Sequence, residues 1–207
     1  RSNSLRRLFP SAGKLVNFAA MYPHRIHLRG PWDAEPLSAT TVDASGQVVT
    51  VDAALPPRAS MVLPCRWATA GWSDFWGHVR FRRKFQWVKA LGERERLWLG
   101  CLGCDGQAEV SLNRSFLGTH DEPHTPFTFD VTDLIRGRNE LEIEVDAPSD
   151  PLGWRLPRGR RGGGGGLWGT VFLDVRRDVS IDDLAVVPAW HDGQLWLHCS
   201  GLLQGKP

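Results

Sequence analysis

Residues 125–145 read TPFTFDVTDLIRGRNELEIEV, and this stretch decides the fold class. Its first part alternates polar residues with the apolar residues Phe127, Phe129 and Val131, so the apolar ones share one face of a strand. Asp130 or Thr132 can then cap a short turn at 133–135. After Gly137, carboxylates alternate strictly with Leu141, Ile143 and Val145, which is typical of a strand with one face in the core and the other in water. The stretch therefore predicts half of a β-sandwich.

Four further motifs accompany this stretch, in order: PCRW at 64–67, FRRKF at 81–85, DGQAEVSLN at 105–113 and GLWGTVFLDV at 166–175. Together the five segments resemble the N-terminal sugar-binding domain of glycoside hydrolase family 2 enzymes such as β-galactosidase and β-glucuronidase. The resemblance covers roughly residues 24–178. It implies an all-β fold, an antiparallel jelly-roll β-sandwich of the galactose-binding-like type.

The sequence departs from this family at Arg114, where the resembled domain commonly has Gly after Asn113. A two-residue type I′ turn prefers Gly at that position because both central residues need a positive φ. We therefore expect the hairpin to be either longer than two residues or strained.

Composition is that of a β-rich chain with ordinary charge. The 207 residues include 22 Gly, 14 Pro and 10 Trp, which fits short strands joined by tight turns. The net charge is +2, and no apolar run approaches the roughly 20 residues of a membrane span. We expect no membrane partner and no nucleic-acid partner. The sequence leaves the cellular compartment open.

The chain divides into three predicted parts. Residues 1–23 form a basic N-terminal arm, residues 24–178 the sandwich, and residues 179–207 a C-terminal β-hairpin built from LAVVPAW and QLWLHC. The resemblance implies that an immunoglobulin-like domain begins at this hairpin, which is either its truncated start or a hairpin docked onto the sandwich. Within 24–178 the pattern predicts ten strands, at 24–29, 47–51, 60–63, 78–86, 96–102, 107–112, 116–119, 126–131, 139–146 and 168–176.

Two loops carry the candidate carbohydrate-binding residues. Sugar sites pair an exposed aromatic ring, which contacts the C–H face, with polar groups that bond the hydroxyls. The segment GWSDFWGH at 71–78 has this composition and supplies Trp72, Asp74, Trp76 and His78. The resemblance implies that the loop 146–168 also lines the sugar subsite with an acidic residue, and the available residues are Asp146, Asp150 and Trp154. The alternative role for any single Trp is filling the core.

Two other patterns, at 101–124 and 155–166, have simpler structural explanations. The spacing Cys101-x2-Cys104 followed by His120-x3-His124 satisfies a zinc-finger rule, but Pro123 and strand-like alternation are incompatible with its helix, so we expect no metal site. The alternative is a zinc clip across the hairpin that is not a finger. Cys101 is expected to be a buried thiol. The Gly-rich run at 162–166, preceded by four arginines, leads into a strand and not a helix, so a solvated loop is favoured over polyanion binding.

Catalytic residues are not expected in this chain, and neither is a cofactor. Retaining glycosidases need two carboxylates about 5 Å apart, and in the resembled enzymes both belong to a (β/α)8 barrel of around 250 residues. The predicted function is a non-catalytic carbohydrate-binding module that acts in glycan recognition or degradation. Its expected partners are a carbohydrate ligand and a glycosidase catalytic domain. The alternatives are a structural or protein-interaction sandwich without sugar binding, and the N-terminal fragment of an intact glycosidase.

Overall fold

The computed structural model describes residues 24–73, 75–150, 165–177 and 179–205. Within these ranges the chain is built almost entirely of strands, with one short 3-10 helix at Trp67–Ala70. The strands are β1 His24–His27, β2 Gly30–Val42, β3 Val48–Val51, β4 Ala59–Leu63, β5 Cys65–Arg66, β6 Gly77–Gln86, β7 Glu95–Cys101, β8 Gln107–Leu112, β9 Ser115–His120, β10 Phe127–Asp130, β11 Arg138–Ala147, β12 Gly166–Leu167, β13 Val171–Arg177, β14 Val179–His191 and β15 Gln194–Gly205. The prediction of an all-β fold with a C-terminal hairpin is confirmed. No helix in the described ranges is long and apolar enough to cross a membrane.

Two antiparallel sheets form the sandwich. The smaller sheet has the strand order β1-β13-β7-β10. The larger sheet has seven strands in the order β3-β2-β6-β11-β8-β9, with β4 also paired to β2. A short pair, β5 with β12, and the hairpin β14–β15 lie outside these two sheets.

The core lies between the two sheets and is formed by the alternating apolar residues of each. The larger sheet contributes Trp32, Val79, Phe81, Val110, Leu141, Ile143 and Val145, and the smaller sheet contributes Leu97, Leu99, Cys101, Leu173 and Val175. All of these side chains are buried, and each large one stabilises the fold by about 1.5–3 kcal/mol through loss of apolar surface. The alternation of β11 is thus confirmed as the inner face of the sandwich.

The long strands of the larger sheet define two ends of the molecule. At the upper end β6 begins at Gly77, opposite Ala147 at the end of β11. At the lower end β6 finishes at Gln86, opposite Arg138 at the start of β11. Because β6 has 10 residues at about 3.3 Å each, the two ends lie roughly 30 Å apart.

Charged residues cover the outer face of the larger sheet between these ends. Arg80 Nε lies 2.6 Å from Glu144 Oε1, and Arg82 Nε lies 2.7 Å from Glu142 Oε2 across the β6–β11 pair. On the other side of β6, Arg82 Nη1 donates a 3.1 Å hydrogen bond to Oε2 of Glu35 on β2. These cross-strand pairs neutralise one another, so the outer face carries little free charge.

The hairpin β14–β15 differs from the sandwich because its apolar side chains remain exposed. Trp190 is 75% exposed and Leu197 is 62% exposed. Val186, Val187, Leu195, Trp196 and Leu202 are exposed as well. Residues 1–23, the predicted arm, lie outside the described residues.

Candidate functional site

A concave pocket of about 520 Å³ opens at the upper end of the sandwich. Its polar lining consists of Gln107, Asp121, Asp146 and Asp150, and its apolar lining includes Val48, Pro123 and Pro148. The volume is within the range of about 300–1,000 Å³ that is typical of small-ligand sites. We call it the upper pocket.

Asp146 is the second-last residue of β11, and it lines the upper pocket. The strict period of 2 places it on the polar face, opposite Gln107 of β8 and His78 of β6. Thr40 Oγ1 donates a hydrogen bond of 2.8 Å to Asp146 Oδ1, and this bond fixes the carboxylate. Among the described residues, the other carboxylate oxygen, Oδ2, has no hydrogen-bond partner and can accept from a ligand hydroxyl.

Asp121 is held in the same pocket by a neighbouring amide. Gln107 Nε2 donates a 2.6 Å hydrogen bond to Asp121 Oδ1 across the gap between β8 and the segment after β9. Gly106 permits the close approach of the start of β8 to the end of β11, because its φ is +78° and an added Cβ would collide with the backbone carbonyl of Asp146. The acidic rim is therefore built from three chain segments that the sandwich brings together.

The predicted tryptophans line a neighbouring pocket. This second pocket, of about 540 Å³, has Trp72, Trp76, Thr40 and Ser149 in its lining. Trp72 is only 5% exposed and packs edge-on against Phe75, with ring centroids 5.8 Å apart, so it is a core residue and offers no open face for a sugar ring. Trp76 is half-buried and keeps part of its ring accessible.

The structure therefore divides the predicted residues between two adjacent pockets. It brings Asp146 and Asp150 together in the upper pocket, and Trp72 and Trp76 together in the second one. The two pockets adjoin at Thr40, which lines the second pocket and bonds Asp146 of the first.

His78 has a different position from the one expected. It lines neither pocket, and its Nε2 lies 2.7 Å from Glu144 Oε2. Strand parity is the reason, because His78 shares the outward face of β6 with Arg80. Asp74 and Trp154 lie outside the described residues.

Sequence reasoning missed Thr40, Gln107 and Asp121. Thr40 belongs to β2, a strand that the sequence pattern did not reveal, and its proximity to Asp146 comes from the parallel contact of 40–42 with Ser149. Asp121 follows β9 in a loop without any motif. Neither Thr40 nor Asp121 lies in a pattern that a single sequence could reveal.

Comparison with known proteins identifies the region that carries the pocket. Residues 71–152 match the family model described as the glycosyl hydrolase 2 galactose-binding domain-like family. This region is a galactose-binding-like domain of glycosyl hydrolase family 2. The galactose-binding-like region supplies all of the polar lining of the upper pocket.

Three solved structures of similar fold are considerably longer than this chain. The FMN-binding β-glucuronidase from Faecalibacterium prausnitzii L2-6 matches with a TM-score of 0.64 and 20% identity, over 87% of this chain and 28% of its own. The GH2 β-galacturonidase from Eisenbergiella tayi bound to galacturonate matches with a TM-score of 0.62 and 16% identity, over 88% and 30%. The Bifidobacterium dentium β-glucuronidase complexed with coumarin-3-O-glucuronide matches with a TM-score of 0.58 and 25% identity, over 80% and 32%.

These similarities establish the shared fold of the galactose-binding-like domain. The chain spans about a third of the length of the enzymes that it matches. No curated protein matches its sequence.

The cysteines and histidines of the zinc-finger spacing do not form a four-ligand cluster among the described residues. Cys101 and Cys104 are buried and free, and burial raises the pKa of Cys101 to about 11 and that of Cys104 to about 12. His120 Nε2 lies 3.0 Å from Thr125 Oγ1, whereas His124 packs against Trp168 with ring centroids 5.8 Å apart. Among the described residues, no group of three potential ligands could hold a metal ion. The buried thiol predicted at position 101 is confirmed.

Proposed function

We propose that the galactose-binding-like domain binds a neutral carbohydrate in the upper pocket and cleaves no bond itself. The observation that carries this proposal is the convergence of Asp121, Asp146 and Asp150 with Gln107 in one open pocket. An ionised carboxylate can only accept hydrogen bonds, whereas the amide of Gln107 both donates and accepts them. This combination suits a ring covered with hydroxyl groups. The apolar side chains in the lining offer contact surface for the C–H face of the ring.

The charge of the pocket favours a neutral sugar over a uronide. In its described lining, Asp121 and Asp146 are held by neutral donors, and no lysine or arginine is present. A ligand carboxylate placed within about 4 Å of either carboxylate would lose about 1 kcal/mol or more to repulsion, depending on the local dielectric. The similar solved structures include enzymes named for glucuronides and galacturonides, and we expect the upper pocket of this chain to differ from them in ligand charge.

A non-catalytic role agrees with the architecture. The described residues form strands and a single short 3-10 helix, with no alternating strand–helix units of a barrel. Asp146 is tied to Thr40, and Asp121 to Gln107, so each carboxylate is held for binding. The domain would then act by positioning a glycan for recognition or degradation by a partner.

Calorimetric titration of the full chain tests this proposal. The ligands are methyl β-galactoside, methyl β-glucoside, methyl α-mannoside and methyl β-glucuronide. We expect at least one neutral glycoside to bind with a Kd of about 1 mM or below, and the glucuronide to bind at least about 10-fold more weakly. In the variant Asp146→Asn the affinity should fall about 10-fold, while Glu109→Gln, on the outer sheet face, should leave it unchanged. Absence of binding by every neutral glycoside would contradict the proposal and favour a structural or protein-interaction sandwich.

The exposed hairpin favours a second candidate, the N-terminal part of an intact glycosidase. Trp190, Leu195 and Leu197 share one face of the hairpin and present an apolar surface to water, which in soluble proteins marks an interface. In this candidate, further residues or a glycosidase catalytic domain cover that surface. The reading frame after Pro207 tests it: a continuation that encodes a barrel supports the candidate, and a stop codon directly after that residue contradicts it.

A further inference from the structure

A cation-rich groove lies at the lower end of the sandwich, roughly 30 Å from the upper pocket. Its volume is about 530 Å³, and its charged lining consists of Lys84, Arg114, Arg136, Arg138 and Glu140. We call these five residues the lower groove. A second depression of about 760 Å³ shares Lys84, Arg114 and Glu140 with it, so the surface continues beside these residues.

The four cations of the lower groove are exposed and form no ion pair with any described residue. No carboxylate of the described residues lies within 4.0 Å of Lys84, Arg114, Arg136 or Arg138, in contrast to the neutralised Arg80 on the outer sheet face. Glu140 is the single acid among the five. Glu140, opposite Lys84 in the β6–β11 pairing, offsets only one of the four charges, so the described part of the groove carries an excess of positive charge.

Arg114 occupies a position where backbone geometry favours Gly. The β8–β9 turn has two central residues, Asn113 with φ of 53° and Arg114 with φ of 68°, so the hairpin is short and strained. A side chain in this left-handed region costs on the order of 1 kcal/mol. Despite this cost, the Arg114 guanidinium lies at the rim that both depressions share. An unfavourable residue at this position indicates that its guanidinium has a ligand.

Two asparagine side chains hold this turn against the loop that carries the other arginines. Asn113 Nδ2 donates to Asn139 Oδ1 at 3.0 Å and to Leu134 O at 2.9 Å. Asn139 Oδ1 also accepts from Arg136 N at 2.8 Å, and Asn139 Nδ2 donates to Arg136 O at 2.6 Å. The backbone segments that carry Arg114 and Arg136 are therefore fixed relative to each other, and the groove is preorganised for an anion.

We propose that the lower groove binds an acidic saccharide, a hydroxyl-rich chain that carries carboxylate or sulfate groups. Arginine and lysine side chains bond such oxyanions with charge-assisted hydrogen bonds. Glu140, which lies opposite Lys84 in the β6–β11 pairing, accepts from sugar hydroxyls but would repel a continuous phosphate backbone. The described lining also lacks the row of aromatic rings on which the bases of a single strand stack.

The test is calorimetric titration of the full chain with four oligomers of similar length. These are oligogalacturonate, a heparin hexasaccharide, maltohexaose and a thymidine oligonucleotide. We expect oligogalacturonate or the heparin hexasaccharide to bind, with affinity that falls at least about 10-fold between 50 and 200 mM salt. The tighter of the two identifies the preferred oxyanion. Binding of maltohexaose with equal affinity, tighter binding of the oligonucleotide, or no binding of either acidic saccharide would overturn the proposal.

Variants separate the groove from the general charge of the protein. Arg114→Gly removes one cation and relieves the turn, so the melting temperature should stay or rise while affinity for the acidic saccharide falls about 10-fold. Arg177→Gln removes the same charge outside both depressions and should change affinity less than about 2-fold. Asp146→Asn should have no effect, since the upper pocket is separate. Equal losses in Arg114→Gly and Arg177→Gln would show that only net charge matters and would contradict the proposal.

Discussion

Thr40 Oγ1 donates a 2.8 Å hydrogen bond to Asp146 Oδ1, and this bond joins β2 to the end of β11 between the upper pocket and the second pocket. The Thr40 residue is buried, so the bond fixes the carboxylate in the orientation that it presents to the upper pocket. Removal of this donor should therefore reduce the affinity for the ligand more than the stability of the fold.

We expect Thr40→Val to lower affinity for a neutral glycoside about 3- to 10-fold. Its free energy of unfolding should fall by only about 1 kcal/mol, because valine replaces threonine with the same shape and one hydrogen bond is lost. Titration calorimetry and urea unfolding measure the two effects. The control is Thr119→Val on the exposed part of β9, and equal affinity in both variants would contradict the positioning role of Thr40.

The bond of Arg25 to Asp174 should contribute far more to stability than the bond of Arg58 to Asp33. Arg25 Nε lies 2.8 Å from Asp174 Oδ1, and its Nη2 lies 2.7 Å from Oδ2, while the Asp174 residue is only 2% exposed. Arg58 and Asp33 form a similar two-pronged pair on the surface.

Arg25→Ala leaves a buried carboxylate without its cation and should cost about 3–5 kcal/mol. Arg58→Ala should cost less than about 1 kcal/mol, because water solvates the exposed carboxylate. Urea unfolding of the two variants provides the comparison. Similar losses in both would show that burial of Asp174 is not the deciding factor.

Stability should decrease in acid, in part because of Asp130. Burial alone would raise the pKa of this carboxyl, but hydrogen bonds from Arg96 at 2.5 Å and from Thr132 at 2.6 Å outweigh it and lower the pKa. A carboxyl with a lowered folded pKa stabilises the protein above its unfolded value of about 3.9, and this stability is lost as pH falls through the folded pKa. The free energy of unfolding should therefore fall as the pH drops below about 4, and Asp130→Asn should make that fall shallower. An equally steep fall in the variant would contradict this assignment.

The four cysteines should react with alkylating reagents in the order of their exposure. Cys199 is exposed, Cys65 is half-buried, and Cys101 and Cys104 are buried with pKa values raised to about 11 and about 12. Only the thiolate is nucleophilic, so the last two should remain unmodified in the folded protein at pH 8. Mass spectrometry of peptides after brief iodoacetamide treatment measures this order. Rapid modification of Cys101 without unfolding would contradict the packed core around it.

The sequence predicted the centre of the sandwich because period and burial coincide there. Leu141, Ile143 and Val145 are buried on β11 as their alternation with carboxylates requires. The sequence pattern missed β2, a strand of 13 residues in the larger sheet. Its Pro31 pairs with Val62 of the β4 strand, and the pairing of β2 with β6 shifts register between Pro36 and Ser38, so two prolines and an irregularity hide its period.

The candidate site was only partly predictable, because it depends on contacts between distant segments. Asp146 and Asp150 could be selected from the resemblance, and the structure places both in the upper pocket. Trp72 belongs to the core, since the 3-10 helix before it turns the chain inward and its backbone N–H bonds to Trp67 O. Composition alone cannot distinguish a buried indole from an exposed one.

Chemical-shift mapping with a neutral methyl glycoside tests the central claim most directly. The account predicts that amide signals of Gly106, Gln107, Asp121 and Asp146 shift progressively and saturate with one Kd, while signals at the lower end, such as Arg138, stay unchanged. Saturable shifts confined to other parts of the surface, or no shifts at all with any neutral glycoside, would contradict carbohydrate binding in the upper pocket.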